Sequence, residues 1–285
     1  MNTNKDKLIK MAVMGEIVPP SLSRNYTVDF NGEPRIGIGM YGVKYNVTIG
    51  DSVYGWEDGE HLEPGLSIRN SDQSQSAALD VLACIGNEVK VKTGDAKGAK
   101  GYIIGKHVSF LIWLNEEDQK KVGIGDKIQI KSWGVGLKIE HFEETVRVNK
   151  IDPELLEKMG VKEENGKLAV PVVCELPSYI MGSGAGMTPN VDYDIQTTVS
   201  DDVIDELGLK KLHFGDVVAL KDQLNWWGRG YYKDAITIGI VIHGWSYHAG
   251  HGPGVIPIMS AKSGIIIPKI EPSVNIGYCL GIMKK

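Results

Sequence analysis

The chain has 285 residues, 42% of them apolar and 24% charged, and its 31 basic and 36 acidic residues give a formal net charge of −5. That length holds one large all-β domain or two ordinary ones with ample core. The absence of a basic run argues against nucleic acid as a partner, and no segment approaches the ~18 uninterrupted apolar residues of a membrane span.

The first residues, Met1–Pro20, lack the apolar centre of a secretory signal. Within Arg35–Gly50, Val43, Tyr45, Val47 and Ile49 alternate with polar residues, which predicts a half-buried strand ended by Gly50-Asp51. The polar stretch Tyr54–Gly65 follows. His61 and Glu63 stand two apart there, and an extended backbone would put both on one face as a metal pair or an acid–base pair. The sequence favours the plainer reading, a solvated charged loop.

Ser74–Cys84 has the clearest helical pattern, with a stripe of Ala77, Ala78, Val81, Leu82 and Ile85, serines at its start and Gly86 as a cap. In Thr93–His107, Gly94, Gly98, Gly101 and Gly105 free the backbone, while Lys97, Lys100 and Lys106 supply positive charge. Lys97, Lys100 and Asp95 are therefore candidates for binding an anionic small molecule, and His107 joins the candidate catalytic set. A glycine-rich hairpin with solvated lysines fits equally well. It is not a phosphate-binding P-loop, because an apolar strand follows where a helix should open.

A weak repeat links Asn115–Lys131 and Ser200–Lys221. Each runs from a short acidic helix through an apolar segment to a Gly-Asp turn and an alternating strand. The unit resembles those of cradle-loop and double-psi β-barrels. Between the copies, Ile151–Gly160 reads as a helix with Asp152 as its cap and Pro153 at its first position. Leu168–Leu176 reads as an apolar strand broken by Pro171. In Ile180–Asp194, Gly182, Gly184 and Gly186 lack the spacing of a dinucleotide loop and Pro189 stands where its helix should run, so no nucleotide cofactor is expected. Asp192 and Asp194 would share one strand face and are candidate ligands of a divalent metal, although an exposed edge strand would explain them as well.

In Gln223–Tyr232, Trp226, Trp227, Tyr231 and Tyr232 surround Arg229. Arg229 and Trp227 could line a ligand pocket, or the cluster could be a contact between copies of a homo-oligomer. Ala235–Ile242 is a buried strand that leads into Ile242–Ser260, the stretch to which function is assigned. It carries His243, His248 and His251, with Gly250–Gly254 forming a shaped loop. His243 and His251 are candidate metal ligands or catalytic groups, because imidazole titrates near neutrality and binds metals readily. His248 reads as solvated. Two strands, near Gly264–Ile267 and Asn275–Ile282, are expected to close the chain. Cys84, Cys174 and Cys279 have no metal spacing and read as reduced, buried and inert.

The expected fold is mainly β and barrel-like with a few short helices, in two intimately packed halves, 1–145 and 146–285. The stretches YGVKYNVTIGDSVYGW, GEHLEPG, ACIGNE, GDAKGAKGYIIGKH, YIMGSGAGM, DYDIQT and GHGPGV resemble a prokaryotic domain-of-unknown-function family. That resemblance implies a β-rich protein of this length with an N-terminal and a C-terminal part, and it implies no established activity. The GDAKGAKG loop also bears a faint likeness to acetamidase/formamidase proteins, but this chain lacks their histidine after Gly-Asp. Two functions are carried forward. One is a cytoplasmic enzyme acting on a small anionic or amide metabolite through His251, His243, His107 and His61 with carboxylates, with or without a divalent metal. The other is a non-catalytic metabolite-binding or assembly protein.

Overall fold

The structure is a computed structural model and describes residues 1–22, 26–184 and 191–284. Gly186 and Pro189 of the glycine-rich segment lie outside the described residues.

Six strands of the first half close into a barrel. They are β1 (Met11–Ile17), β4 (Leu66–Arg69), β5 (Glu88–Val91), β6 (Lys100–Lys106), β7 (Phe110–Leu114) and β8 (Lys127–Ser132), in the order β1-β4-β7-β6-β5-β8 with β8 returning to β1. Closure leaves no free edge. Alternation is clean where one side faces the core: β8 buries Ile128, Ile130 and Ser132 between exposed or half-buried neighbours. A two-stranded arm, β2 (Thr27–Val28) and β3 (Pro34–Arg35), stands outside the barrel.

The second half forms an open sheet. It contains β9 (Val146–Val148), β12 (Cys174–Leu176), β13 (Met181–Gly184), β14 (Tyr193–Ile195), β15 (Val217–Leu224), β16 (Gly230–His243) and β17 (Gly254–Ala261). Its order is β12-β15-β16-β17-β14-β13, with β9 pairing β17. A small sheet of β10 (Lys162–Glu164), β11 (Lys167–Val172) and β18 (Ile266–Ile270) flanks it. The protein is thus mainly β, with one closed and one open half sharing a continuous apolar core.

The repeat is realised as two matching turns. Helix α2 (Glu116–Gln119) leads to Asp126, which accepts the backbone N–H of Gly123, and β8 follows. Helix α4 (Asp201–Glu206) leads to Asp216, which accepts the N–H of His213, and β15 follows. Asp51 makes the same bond to the N–H of Thr48. This third turn pairs with the second, since Gly50 donates to the carbonyl of Phe214 and Phe214 donates to that of Asp51. Glycines with positive φ precede all three aspartates, Gly50, Gly125 and Gly215, the backbone shape that a side chain disfavours.

Several elements differ from the sequence reading. The segment from Val43 to Ile49 forms only an isolated bridge at Val43 and then turns. Its backbone groups bond to the strap around it, as when Lys44 donates to the carbonyl of Gly65. Helix α1 (Gln73–Leu82) is capped by Asp72, whose carboxylate accepts from Gln75, and not by a serine. Of its apolar positions only Leu79 is buried, while Ala77, Ala78 and Val81 face solvent. Helix α3 (Pro153–Lys158) keeps its Asp152 cap. The end of the chain is a short helix, α5 (Ile276–Cys279), and not a strand, because Asn275 caps it through the N–H of Gly277. The three cysteines are free, but only Cys84 is fully buried. Burial pushes the Cys84 and Cys174 thiols up to about 12, consistent with unreactive groups.

Candidate functional site

The seam between the barrel and the open sheet gathers five of the seven histidines, His61, His107, His243, His248 and His251, around Glu60, Glu63, Asp192 and Asp194. His107 follows the end of β6 and lies 4.4 Å, ring to ring, from His243 at the end of β16. Gly105, near the end of β6, makes this approach possible. A Cβ there would lie 2.8 Å from the Ile242 side chain.

His61 comes from the stretch read as a solvated loop, and here the structure corrects the sequence. Gly59–Gly65 is buried throughout. It is clamped by the N–H of His61 donating to the carbonyl of Trp245 and that of Gly244 donating to Leu62. His61 itself takes a positive φ of 48°. Such a backbone persists in a non-glycine residue only where the surroundings hold it, and it is common at functional sites.

The orientation of the rings is the most informative feature. His61 Nδ1 bonds Glu60, His107 Nδ1 lies 2.9 Å from Glu63 Oε1, and His243 Nδ1 lies 3.1 Å from the carbonyl oxygen of Gly244. With Nδ1 turned to these oxygens, each ring directs Nε2 the other way. Nε2 of His243 stands 3.3 Å from both Asp192 Oδ2 and Asp194 Oδ1. Nε2 of His61 stands 3.6 Å from Asp194 Oδ2, and Nδ1 of His251 stands 3.0 Å from that same oxygen. Two compact donor sets result: His107, Asp192 and His243, and His61, Asp194 and His251, with the donor atoms of each set within 4.8 Å of one another. A third set, Glu60, His61 and His248, shares His61. His248 is therefore not simply solvated; its Nδ1 lies 2.9 Å from Glu60 Oε1.

Burial and charge act against each other here. Burial penalises a charged Glu63, but His107, Lys44 and Ser67 outweigh it and lower the carboxyl to about 2. Glu60 is likewise lowered to about 2 against its burial, by His61, Ser246 and His248. Burial opposes a charged His243, yet Asp192 and Asp194 raise it to about 10. Burial also works against the charge of Asp194, but His243, His251 and His61 hold it well below the usual carboxylate range. In the metal-free protein a proton on His243 thus balances the charge of Asp192 and Asp194. The floor of the site is closed, with His243 fully buried, while the side chain of His251 is 34% exposed at the rim.

The other candidates lie elsewhere. Asp95, Lys97 and Lys100 sit in the β5–β6 hairpin and are exposed. Lys100 and Lys106 are opposite ends of β6, about 20 Å apart at the usual rise per strand residue. The hairpin is a plain turn, with Lys97 N–H donating to Gly94 and Gly98 N–H to Val91. Lys100 lines a groove of about 650 Å³ on the barrel exterior with Lys10, Lys90, Tyr102 and Lys131, and no residue of the histidine cluster borders it. Arg229 donates to the carbonyls of Gly182 and Met181 and stacks on Tyr193 at 5.5 Å. Tyr193 points away from Asp192 and Asp194 by strand alternation. Trp227 is 72% exposed and carries Arg147 over its ring. The sequence hides Glu60 and His248 because they meet only across the two halves, and Glu63 because its partners Tyr41, Lys44 and His107 come from other stretches of the first half. The signal available was local: EHLE places four polar or apolar positions so that Glu60, His61 and Glu63 all precede the buried Pro64-Gly65 corner.

The description "Domain of unknown function (DUF4438), N-terminal" matches residues 26–157, and its C-terminal counterpart matches residues 158–280. The chain is also similar to a solved structure titled "Crystal structure of TM1086", at 42% identity and a TM-score of 0.92, covering 98% of each chain. No match was found among curated proteins. Neither match names an acetamidase or formamidase. Among the described residues no helix is long and apolar enough to cross a membrane.

Proposed function

The chain belongs to the two-part DUF4438 family, and from the site it carries we propose that it is a divalent-metal-dependent enzyme of hydrolase type, acting on a small amide or carboxylate. One observation carries this reading. Three imidazoles have Nδ1 tied to an oxygen acceptor, Glu60, Glu63 or the Gly244 carbonyl. That leaves the Nε2 atoms of His61 and His243 directed at Asp192 and Asp194. Such outer partners fix the tautomer and orientation of metal-binding histidines and raise their basicity. A mixed nitrogen and oxygen set without cysteine suits zinc, iron or manganese.

Within this reading His107, Asp192 and His243 hold the ion. A bound ion would polarise a substrate carbonyl and make a coordinated water acidic. The residues themselves supply the rest. Glu60 and Glu63 keep the imidazoles in place, and the buried floor excludes bulk water. His251 and His248 stand at the open rim, within reach of an entering substrate.

The test is metal analysis of untagged protein purified without chelator, beside Asp192→Asn, and assay of a panel of small amides and carboxylate esters with and without the metal found. At least one tightly held ion per chain is expected, reduced at least tenfold in the variant, with hydrolysis following the metal. Negligible metal in the wild type, also after incubation with zinc or manganese, overturns the reading. Metal without turnover on any substrate favours a non-catalytic binding role instead.

A second reading concerns the aromatic cluster. Trp227, Tyr231 and Tyr232 are 72%, 70% and 45% exposed, which suits a contact between copies better than a pocket wall. Light scattering of the wild type and Trp227→Ser distinguishes the two, because loss of an oligomer in the variant is expected only for a contact.

A further inference from the structure

Asp194 reaches both compact donor sets, one carboxylate oxygen to each. Its Oδ1 lies 3.3 Å from His243 Nε2, in the set with His107 and Asp192. Its Oδ2 lies 3.0 Å from His251 Nδ1 and 3.6 Å from His61 Nε2, in the other set. The rings of His61 and His107 run parallel, 3° apart in plane with centroids 5.7 Å apart, one imidazole per set. Each of these two rings has its own carboxylate behind it, Glu60 for His61 and Glu63 for His107. The arrangement is doubled at every level: two inner carboxylates, two parallel imidazoles, two outer carboxylates.

We propose that the centre is dinuclear, with Asp194 bridging one ion held by His107, Asp192 and His243 and a second held by His61 and His251. This rests on the metal reading above and deepens it. Carboxylate-bridged ions stand about 3.5–4 Å apart and share the charge of attacking and leaving oxygens. The parallel histidines are spaced to serve ions that close together. The third set, with Glu60 and His248, then acts as support for the second ion, because His61 cannot offer Nδ1 to an ion while donating it to Glu60. The second ion has fewer buried protein ligands and includes the partly exposed His251. It is therefore the weaker-held ion and the one facing an entering substrate.

The experiment loads metal-depleted full-length protein with Mn²⁺, removes excess ion by gel filtration, and reads metal per chain together with the electron paramagnetic resonance spectrum. Two ions per chain with an exchange-coupled spectrum are expected for the wild type. His251→Ala should hold one ion and show the six-line spectrum of an isolated centre, and circular dichroism should show it folded. Asp194→Asn, nearly isosteric, should lose the coupled signal. One ion in the wild type, unchanged in His251→Ala, overturns the dinuclear proposal and leaves a mononuclear centre standing. Two ions without coupling overturn the bridge. No bound ion at all overturns both this proposal and the metal reading.

Discussion

His243 and Gly254 stand opposite each other across β16 and β17, and a Cβ on Gly254 would lie 2.0 Å from Nε2 of His243. Gly254 is also paired with Asp194 across β17 and β14. The imidazole therefore reaches Asp194 by lying over the one position of the intervening strand that has no side chain. No rotamer of a larger residue at 254 avoids the ring, because the clash begins at Cβ.

Replacing Gly254 with alanine should displace His243 and cost about 1–3 kcal/mol, the usual range for forcing extra atoms into a packed interior. Urea denaturation measures it. Gly230→Ala is the control. Its nearest neighbour to a new Cβ is at 3.6 Å, so a change within about 0.5 kcal/mol is expected there. Equal effects at both positions would mean that the space over Gly254 is not needed.

The metal-free protein should be most stable near pH 4.5–6.5 and weaken on both sides. His243 is raised from 6.5 to about 10, so its contribution is complete below 6.5 and lost as pH rises towards 10. Glu60 and Glu63 are lowered from 4.5 to about 2. Their contribution is present above 4.5 and lost as pH falls towards 2. Chemical denaturation across pH with a chelator present checks this, with Glu63→Gln flattening the acid limb. A profile that is level from pH 3 to 9 would contradict it.

Glu63→Ala should destabilise the protein by about 3–5 kcal/mol, since removing one partner strands buried charge. Its carboxylate accepts from Tyr41 N–H, Ser67 Oγ and His107, with Lys44 3.7 Å away. Thermal unfolding of the variant, with and without Zn²⁺, gives the size of the loss. A shift of less than about 1 kcal/mol would show that the carboxylate is dispensable.

Uptake of metal near pH 7 should release protons, because ligating imidazoles must be neutral and Asp192 and Asp194 raise His243 to about 10 against its burial, with His61 raised as well. Calorimetry of Zn²⁺ binding in buffers of different ionisation enthalpy measures the number. At least one proton per chain is expected, and zero would place the metal away from this cluster.

Lys97→Ala with Lys100→Ala should leave metal content unchanged and stability within about 0.5 kcal/mol. Both residues are exposed on the β5–β6 hairpin, at the far end of β6 from His107. Loss of metal in this double variant, measured by elemental analysis, would tie the hairpin to the site.

The sequence alone determined the β-rich class, the Gly-Asp turns and their repeat, the Asp152 cap and the importance of the histidine-bearing stretch. Those features are local: an Asp that bonds the N–H three residues back, or a glycine before it, acts within a few residues of chain. It also singled out His61, His107, His243, His251, Asp192 and Asp194, since imidazole and carboxylate carry chemistry wherever they stand. What only the tertiary structure decided was which of them meet. The fate of the EHLE stretch turned on two backbone bonds from far along the chain, His61 N–H donating to the Trp245 carbonyl and Gly244 N–H donating to the Leu62 carbonyl. The same spacing of polar residues would be solvated without that partner. The exposed stripe of α1 failed for the same reason. Periodicity states that one face differs from another, but only the packed neighbour determines which face is covered.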